Sequence, residues 1–113
     1  MKGNTMTKQH SDVGNFLHEL AENGGLVFES DAGHGYLHVP IAILKHLNLK
    51  IGDFSSYSFT DFSKVYLEED CDASKFVNAW RKFCNMDINS LVREVHTNGD
   101  ARCRSYQRIK EGK

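Results

Sequence analysis

Glu68-Glu69-Asp70-Cys71-Asp72 packs four carboxylates into five residues. Like charges at this spacing repel and raise one another's pKa unless a cation, helix N–H groups or basic side chains compensate them. In an extended chain Glu68, Asp70 and Asp72 point one way and Glu69 and Cys71 the other, so two carboxylates on one side suit a hard divalent cation. Asp72 is also placed to cap a helix starting at Ala73, where acids are favoured by the helix dipole. A basic partner surface is the third way to compensate the run.

Gly33-His34-Gly35 is the second candidate. Flanking glycines let the backbone take positive φ, which sets the imidazole at the tip of a tight turn, within reach of a ligand or a proton. His38 alternates with Leu37 and Val39 and so shares a face with Tyr36, a pattern that can carry His34 and His38 toward one site. A metal-assisted hydrolase or nuclease would draw on His34, Glu69 and Asp70. No H-E-x-x-H or H-x-E with C-x-x-C spacing accompanies them. The expectation is therefore a non-catalytic protein with no cofactor.

A third set lies near the C-terminus. Arg102, Arg104, Tyr106 and Arg108 share one face if the segment is a strand, a basic row with an aromatic that can grip phosphates and stack a base. A solvated face, or ion pairs with the domain's own acids, explains the same residues. The formal net charge of −1 argues against a dedicated nucleic-acid domain. That near-neutral total hides a polarity: residues 1–72 balance to −6 and residues 73–113 to +5.

Three cysteines, Cys71, Cys84 and Cys103, are 13 and 19 residues apart. That spacing builds neither a paired disulfide framework nor a zinc knuckle, so reduced thiols in a cytoplasm are expected. Acids around Cys71 raise a thiol pKa and a helix N-terminus lowers it. Cys84 is expected in the core beside Trp80, and Cys103 on the apolar side of the sheet. No run of about 18 apolar residues is present and the first residues lack the apolar centre of a signal peptide, so no membrane association is expected.

The elements that must position these residues follow from periodicity. With 113 residues, seven Phe, four Tyr and Trp80, the chain suits one ordered domain over 11–113 behind a flexible polar tail at 1–10. Val13, Phe16, Leu17, Leu20 and Ala21 form one helical face, capped by Ser11 or Asp12 and stopped by Gly24-Gly25. Residues 26–30 and 36–39 read as a hairpin around the turn 31–35. Pro40 opens a short helix with Ile41, Leu44 and Leu47 inward. Tyr57 and Phe59 alternate around Ser58 as in a strand, Lys64–Glu69 is a clearer strand, and Phe76, Val77, Trp80, Phe83 and Cys84 line a helix.

Residues 88–97 match both helix and strand. The strand is preferred: Leu91–Thr97 and Ala101–Ile109 flank Asn98-Gly99, the strongest short hairpin signal, with Glu94 facing Arg104 and Val95 facing Cys103. The resulting order αββαββαββ is an α+β domain, a mainly antiparallel sheet with two or three helices on one face.

Ser30-Asp31-Ala32-Gly33-His34-Gly35-Tyr36-Leu37-His38-Val39-Pro40, Ser56-Tyr57-Ser58, Tyr66-Leu67-Glu68-Glu69-Asp70-Cys71-Asp72-Ala73 and Arg104-Ser105-Tyr106 resemble a bacterial domain of unknown function carried by plasmid, phage and other mobile-element proteins. Its pattern is S-D-P-G-H-G-W-L-x-V, S-x-Y-S-Y, Y-L-E-E-D-C-D-A and I-R-S-Y. The likeness spans about residues 30–109, with Ala32, Tyr36, Phe59 and Cys103 departing from it. It implies a small cytoplasmic accessory protein that binds a host protein or nucleoprotein complex, such as a counter-defence inhibitor of the anti-CRISPR type. His34, Tyr36, Glu68, Glu69, Asp70 and Asp72 are then the residues expected to face the partner, with nucleic acid as the alternative ligand of the C-terminal arginines.

Overall fold

The computed structural model of the chain describes residues 10–112. Residues 1–9 of the expected tail lie outside them, and His10 opens the first helix rather than closing a tail. That helix, α1 (His10–Glu22), buries Phe16 and Leu20 and rests Val13 and Leu17 against the core. Ser11 and Asp12 therefore sit in its first turn, and Ala21, at the margin of the predicted face, is exposed. The stop is a Schellman closure: Gly25 N–H donates to Leu20 O at 2.9 Å and Gly24 N–H to Ala21 O at 3.2 Å. Gly24 takes φ +98°, a value glycine adopts without steric cost.

β1 (Leu26–Ser30) and β2 (Gly35–Pro40) form the expected antiparallel hairpin. After Pro40 the short helix is of the 3-10 type over Ile41–Leu47, burying Ile43, Leu44 and Leu47. The three-residue spacing of Ile41, Leu44 and Leu47 is that helix's own period. β3 is only Phe59–Thr60; β4 (Lys64–Glu68) and α2 (Ala73–Phe83) follow. A 3-10 turn at Ile88–Leu91 leads into β5 (Val92–His96), another at Arg102–Ser105 into β6 (Gln107–Arg108).

The strands join into one six-stranded sheet, ordered β5-β1-β2-β4-β3-β6. Every pairing is antiparallel except that of β5 with β1. The domain is α+β, as expected. Alternation along the strands sends Leu26, Leu37, Val39, Val65 and Leu67 to one face, where they meet Phe16 and Leu20 of α1 and Phe76, Trp80 and Phe83 of α2. Both helices thus cover the same face, each large apolar side chain contributing about 1.5–3 kcal/mol by leaving water. The opposite face carries Val27, Glu29, Tyr36, His38, Phe59, Tyr66 and Glu68. Among the described residues no helix is long and apolar enough to cross a membrane.

The C-terminal hairpin is not formed. β5 lies at one edge of the sheet and β6 at the other, and the chain between them crosses the second face. There Ala101 and Cys103 are buried against Tyr36, Phe59 and Tyr66, with Tyr106 packed alongside. Residues 88–97 are thus a 3-10 turn followed by a strand, and that strand does not meet Ala101–Ile109. Glu94 does not reach Arg104, which pairs with Asp31 and Asp100 instead. Val95 lies opposite Glu29, and Cys103 packs among the aromatics. Asn98-Gly99 is a local signal of modest energy, outweighed by covering an aromatic face. Because 102–105 is helical, the alternating row Arg102, Arg104, Tyr106, Arg108 does not exist either.

Gly35 marks where β2 passes close to its neighbours. A Cβ there would collide with the Phe28 ring and stand 2.9 Å from Glu69 Oε1. Gly35→Ala is expected to cost about 1–3 kcal/mol, as overpacking does, seen as a lower urea midpoint at unchanged slope.

Candidate functional site

The turn between β1 and β2 is organised by Asp31, a residue the sequence reading did not single out. Its Oδ1 accepts the N–H of Gly33 at 2.9 Å and of His34 at 2.8 Å, the short-range pattern of an Asx-type turn. Its Oδ2 accepts the N–H of Ala101 at 2.8 Å and lies 3.3 Å from Arg104 Nη1. The carboxylate is buried. These donors, the Ala101 amide foremost, hold Asp31 far below the usual carboxylate range against the opposing effect of burial. One side chain therefore shapes the His34 turn and fastens the C-terminal crossing.

The acidic run resolves into an inner and an outer pair. Glu68 is buried; its Oε1 accepts the N–H groups of Asp70 and Cys71, both at 2.9 Å, and its Oε2 stands 3.4 Å from His34 Nδ1. Asp72 is completely buried. Both of its oxygens accept Ser55 N–H, and Oδ2 also accepts the hydroxyls of Ser55, at 2.7 Å, and Ser58. It occupies the N-cap position of α2 without capping an amide, so the expected side-chain cap is replaced by a clamp on residues 55–58. Ser58 Oγ in turn accepts Glu68 N–H at 2.9 Å, so one hydroxyl links the Asp72 carboxylate to the backbone of Glu68. Glu69 and Asp70 are exposed, while Glu69 N–H donates to Gly35 O at 2.9 Å. The backbone beneath the outer pair is thus fixed on both sides. Desolvation and the Glu68 carboxylate push the Cys71 thiol up, which leaves it a poor nucleophile.

Of the six residues expected to face a partner, His34, Glu69 and Asp70 are exposed. Tyr36 is 3% exposed beneath the C-terminal crossing, and Asp72 and Glu68 are inside, so these three support the surface instead of forming it. His38 does share a face with Tyr36 but does not converge with His34. Its Nε2 lies 3.0 Å from Glu29 Oε1, while Thr97 Oγ1 donates to the other oxygen of Glu29. Burial lowers the His38 pKa despite that carboxylate. Each histidine has its own acid. Among the described residues no group of three His, Cys, Asp or Glu is arranged to hold a metal ion, and His34 is joined to Glu68, not to Glu69 or Asp70.

The four C-terminal residues are equally divided in role. Arg104 turns inward to Asp31 and Asp100, Tyr106 packs 5.2 Å from the Tyr66 ring, and Arg108 lies over Phe59 while donating to Ser56 O at 2.8 Å. Arg102 is exposed. In comparisons with protein families, characterised proteins and solved structures, none matches the chain.

Tyr57 is a further exposed group, and it carried no periodic signal beyond a weak strand pattern. It is 63% exposed, and its loop is held by the clamp on Asp72, with its own N–H donating to Ser55 Oγ at 3.2 Å. An aromatic and two acids thus stand on segments that buried carboxylates hold still.

Asp31→Asn is expected to destabilise the domain by about 2–3 kcal/mol at pH 7, because an amide mismatches donors left buried. The folded-state pKa of Asp31 is depressed, so its contribution is present above about pH 4 and lost as pH falls below that value. Urea unfolding should therefore show a gap between wild type and variant that is full at pH 7 and narrows toward pH 2–3.

Proposed function

We propose that the chain acts by binding a macromolecule with a basic surface, through Glu69, Asp70, His34 and Tyr57. The observation that carries this reading is the division of the acidic run: Glu68 and Asp72 are spent on internal amides and hydroxyls, leaving Glu69 and Asp70 exposed on a fixed backbone. Anions held this way lose little conformational freedom on association, and their field speeds encounter with a cationic partner. Tyr57 supplies the rigid aromatic area that anchors interfaces.

The mobile-element resemblance of residues 30–109 extends the proposal. The partner is then a host protein or nucleoprotein complex of a defence system, whose nucleic-acid channel is lined with cations, as in CRISPR effectors. Exposed carboxylates would stand there in place of phosphates. The alternative readings find less support: a metal-dependent enzyme needs His34 beside Glu69 and Asp70, and the C-terminal arginines form no alternating row, Arg104 being paired with Asp31 and Asp100.

The test is affinity capture from a bacterial lysate with the wild type and with Glu69→Lys/Asp70→Lys. These exposed substitutions should change stability by no more than about 0.5 kcal/mol each. The expected result is a basic partner retained by the wild type and lost by a folded variant. An identical captured set from both would overturn the acidic surface as the binding site.

A further inference from the structure

The β3–β4 turn, at the other end of β4 from the acidic surface, holds Phe62 in the left-handed region at φ +67°, a conformation bulky L side chains rarely adopt. The turn fixes it there. Thr60 Oγ1 accepts Phe62 N–H at 2.9 Å, and Asp61 Oδ1 accepts the N–H groups of Ser63 at 3.0 Å and Lys64 at 2.8 Å. Yet the ring is 65% exposed, so this strain secures little burial for the fold. Beside it lies an open depression of about 220 Å³ whose lining includes Ile51 and Ile109 as apolar groups and Gln107, Arg108 and Lys110 as polar ones. Among the described residues that line it, none is acidic. Arg108 is steadied by the Phe59 ring at 4.9 Å and by Ser56 O, which occupies one of its five N–H donors.

An exposed aromatic face, two cations and a side-chain amide around one small concavity make a complementary set. We propose that this depression binds one nucleotide unit of a single-stranded nucleic acid, the base stacked on Phe62 and the phosphate paired with Arg108 and Lys110. Stacking accepts any base, and Gln107 adds a donor and an acceptor for a base edge. The site keeps only Arg108 of the arginine row expected from sequence, and it does not depend on the acidic surface. A partner made of protein and nucleic acid would be met by the two ends of β4 with opposite charge.

The test is a fluorescence-anisotropy titration of a dye-labelled oligothymidine with the full chain at low salt, with a polyglutamate peptide as comparison. The oligonucleotide should bind, and Phe62→Gly should weaken it about ten-fold, the size of one lost stacking contact, while leaving the melting temperature equal or higher. Phe62→Asn, which also tolerates the left-handed turn, should show the same loss, so the result does not hang on one variant's folding. Lys110→Gln should lower the salt dependence by one phosphate contact. Absence of oligonucleotide binding, equal binding by both folded Phe62 variants, or Phe62-dependent capture of polyglutamate in its place would each overturn the proposal.

Discussion

The carboxylate of Asp31 is the constraint on which both the turn of His34 and the cover of the second sheet face depend. It is buried, so its desolvation must be offset by close donors. Three backbone N–H groups and the Arg104 guanidinium supply them, two from its own turn and two from a segment some seventy residues on. Without that carboxylate, the tie between this segment and the β1–β2 turn would rest on the longer bond from Ala32 N–H to Gly99 O, at 3.4 Å. Cys103 and Ala101 would then cover Tyr36 and Tyr66 by apolar contact alone.

The same device recurs around the surface proposed for binding. Glu68 gathers the amides after β4, Asp72 gathers the serine segment, and Glu29 takes His38 and Thr97. In each case an ionised or polar side chain inside the domain substitutes for regular hydrogen bonding where the chain is irregular, in surroundings that strengthen each bond. The exposed residues of these turns inherit rigidity from carboxylates buried beneath them. A burial pattern of this kind separates acids that shape the protein from acids left to meet something else.

Much of the architecture was legible from periodicity. α1, the β1–β2 hairpin, β4 and α2 each stand where a helix or strand was expected, and the inner faces of the two helices were read from Phe16 and Trp80. The C-terminal third was not, because Asn98-Gly99 advertises a local turn while the deciding contact joins Asp31 to Ala101. Long-range pairing leaves no mark in a short window. At the site, His34 and Glu68 were singled out and do adjoin, but Tyr36 and Asp72 were expected outside and lie inside. Charge argued for exposure of Asp72; its hydroxyl partners, Ser55 and Ser58, came from a segment with no clear pattern. The Asp-x-Gly-His spacing at residues 31–34 was the available signal for Asp31, and it was spent on the glycines and the histidine. Phe62, which sits in a left-handed turn, carries a conformation that its residue type disguises.

A carbon-detected NMR titration of the side-chain carboxyls, from pH 7 downward, reads the central interaction directly. Asp31 should keep its ionised chemical shift well below the ordinary aspartate midpoint of about 3.9, with the Ala101 amide resonance unchanged over the same range. An Asp31 midpoint at the ordinary value, with Ala101 indifferent to it, would contradict the account.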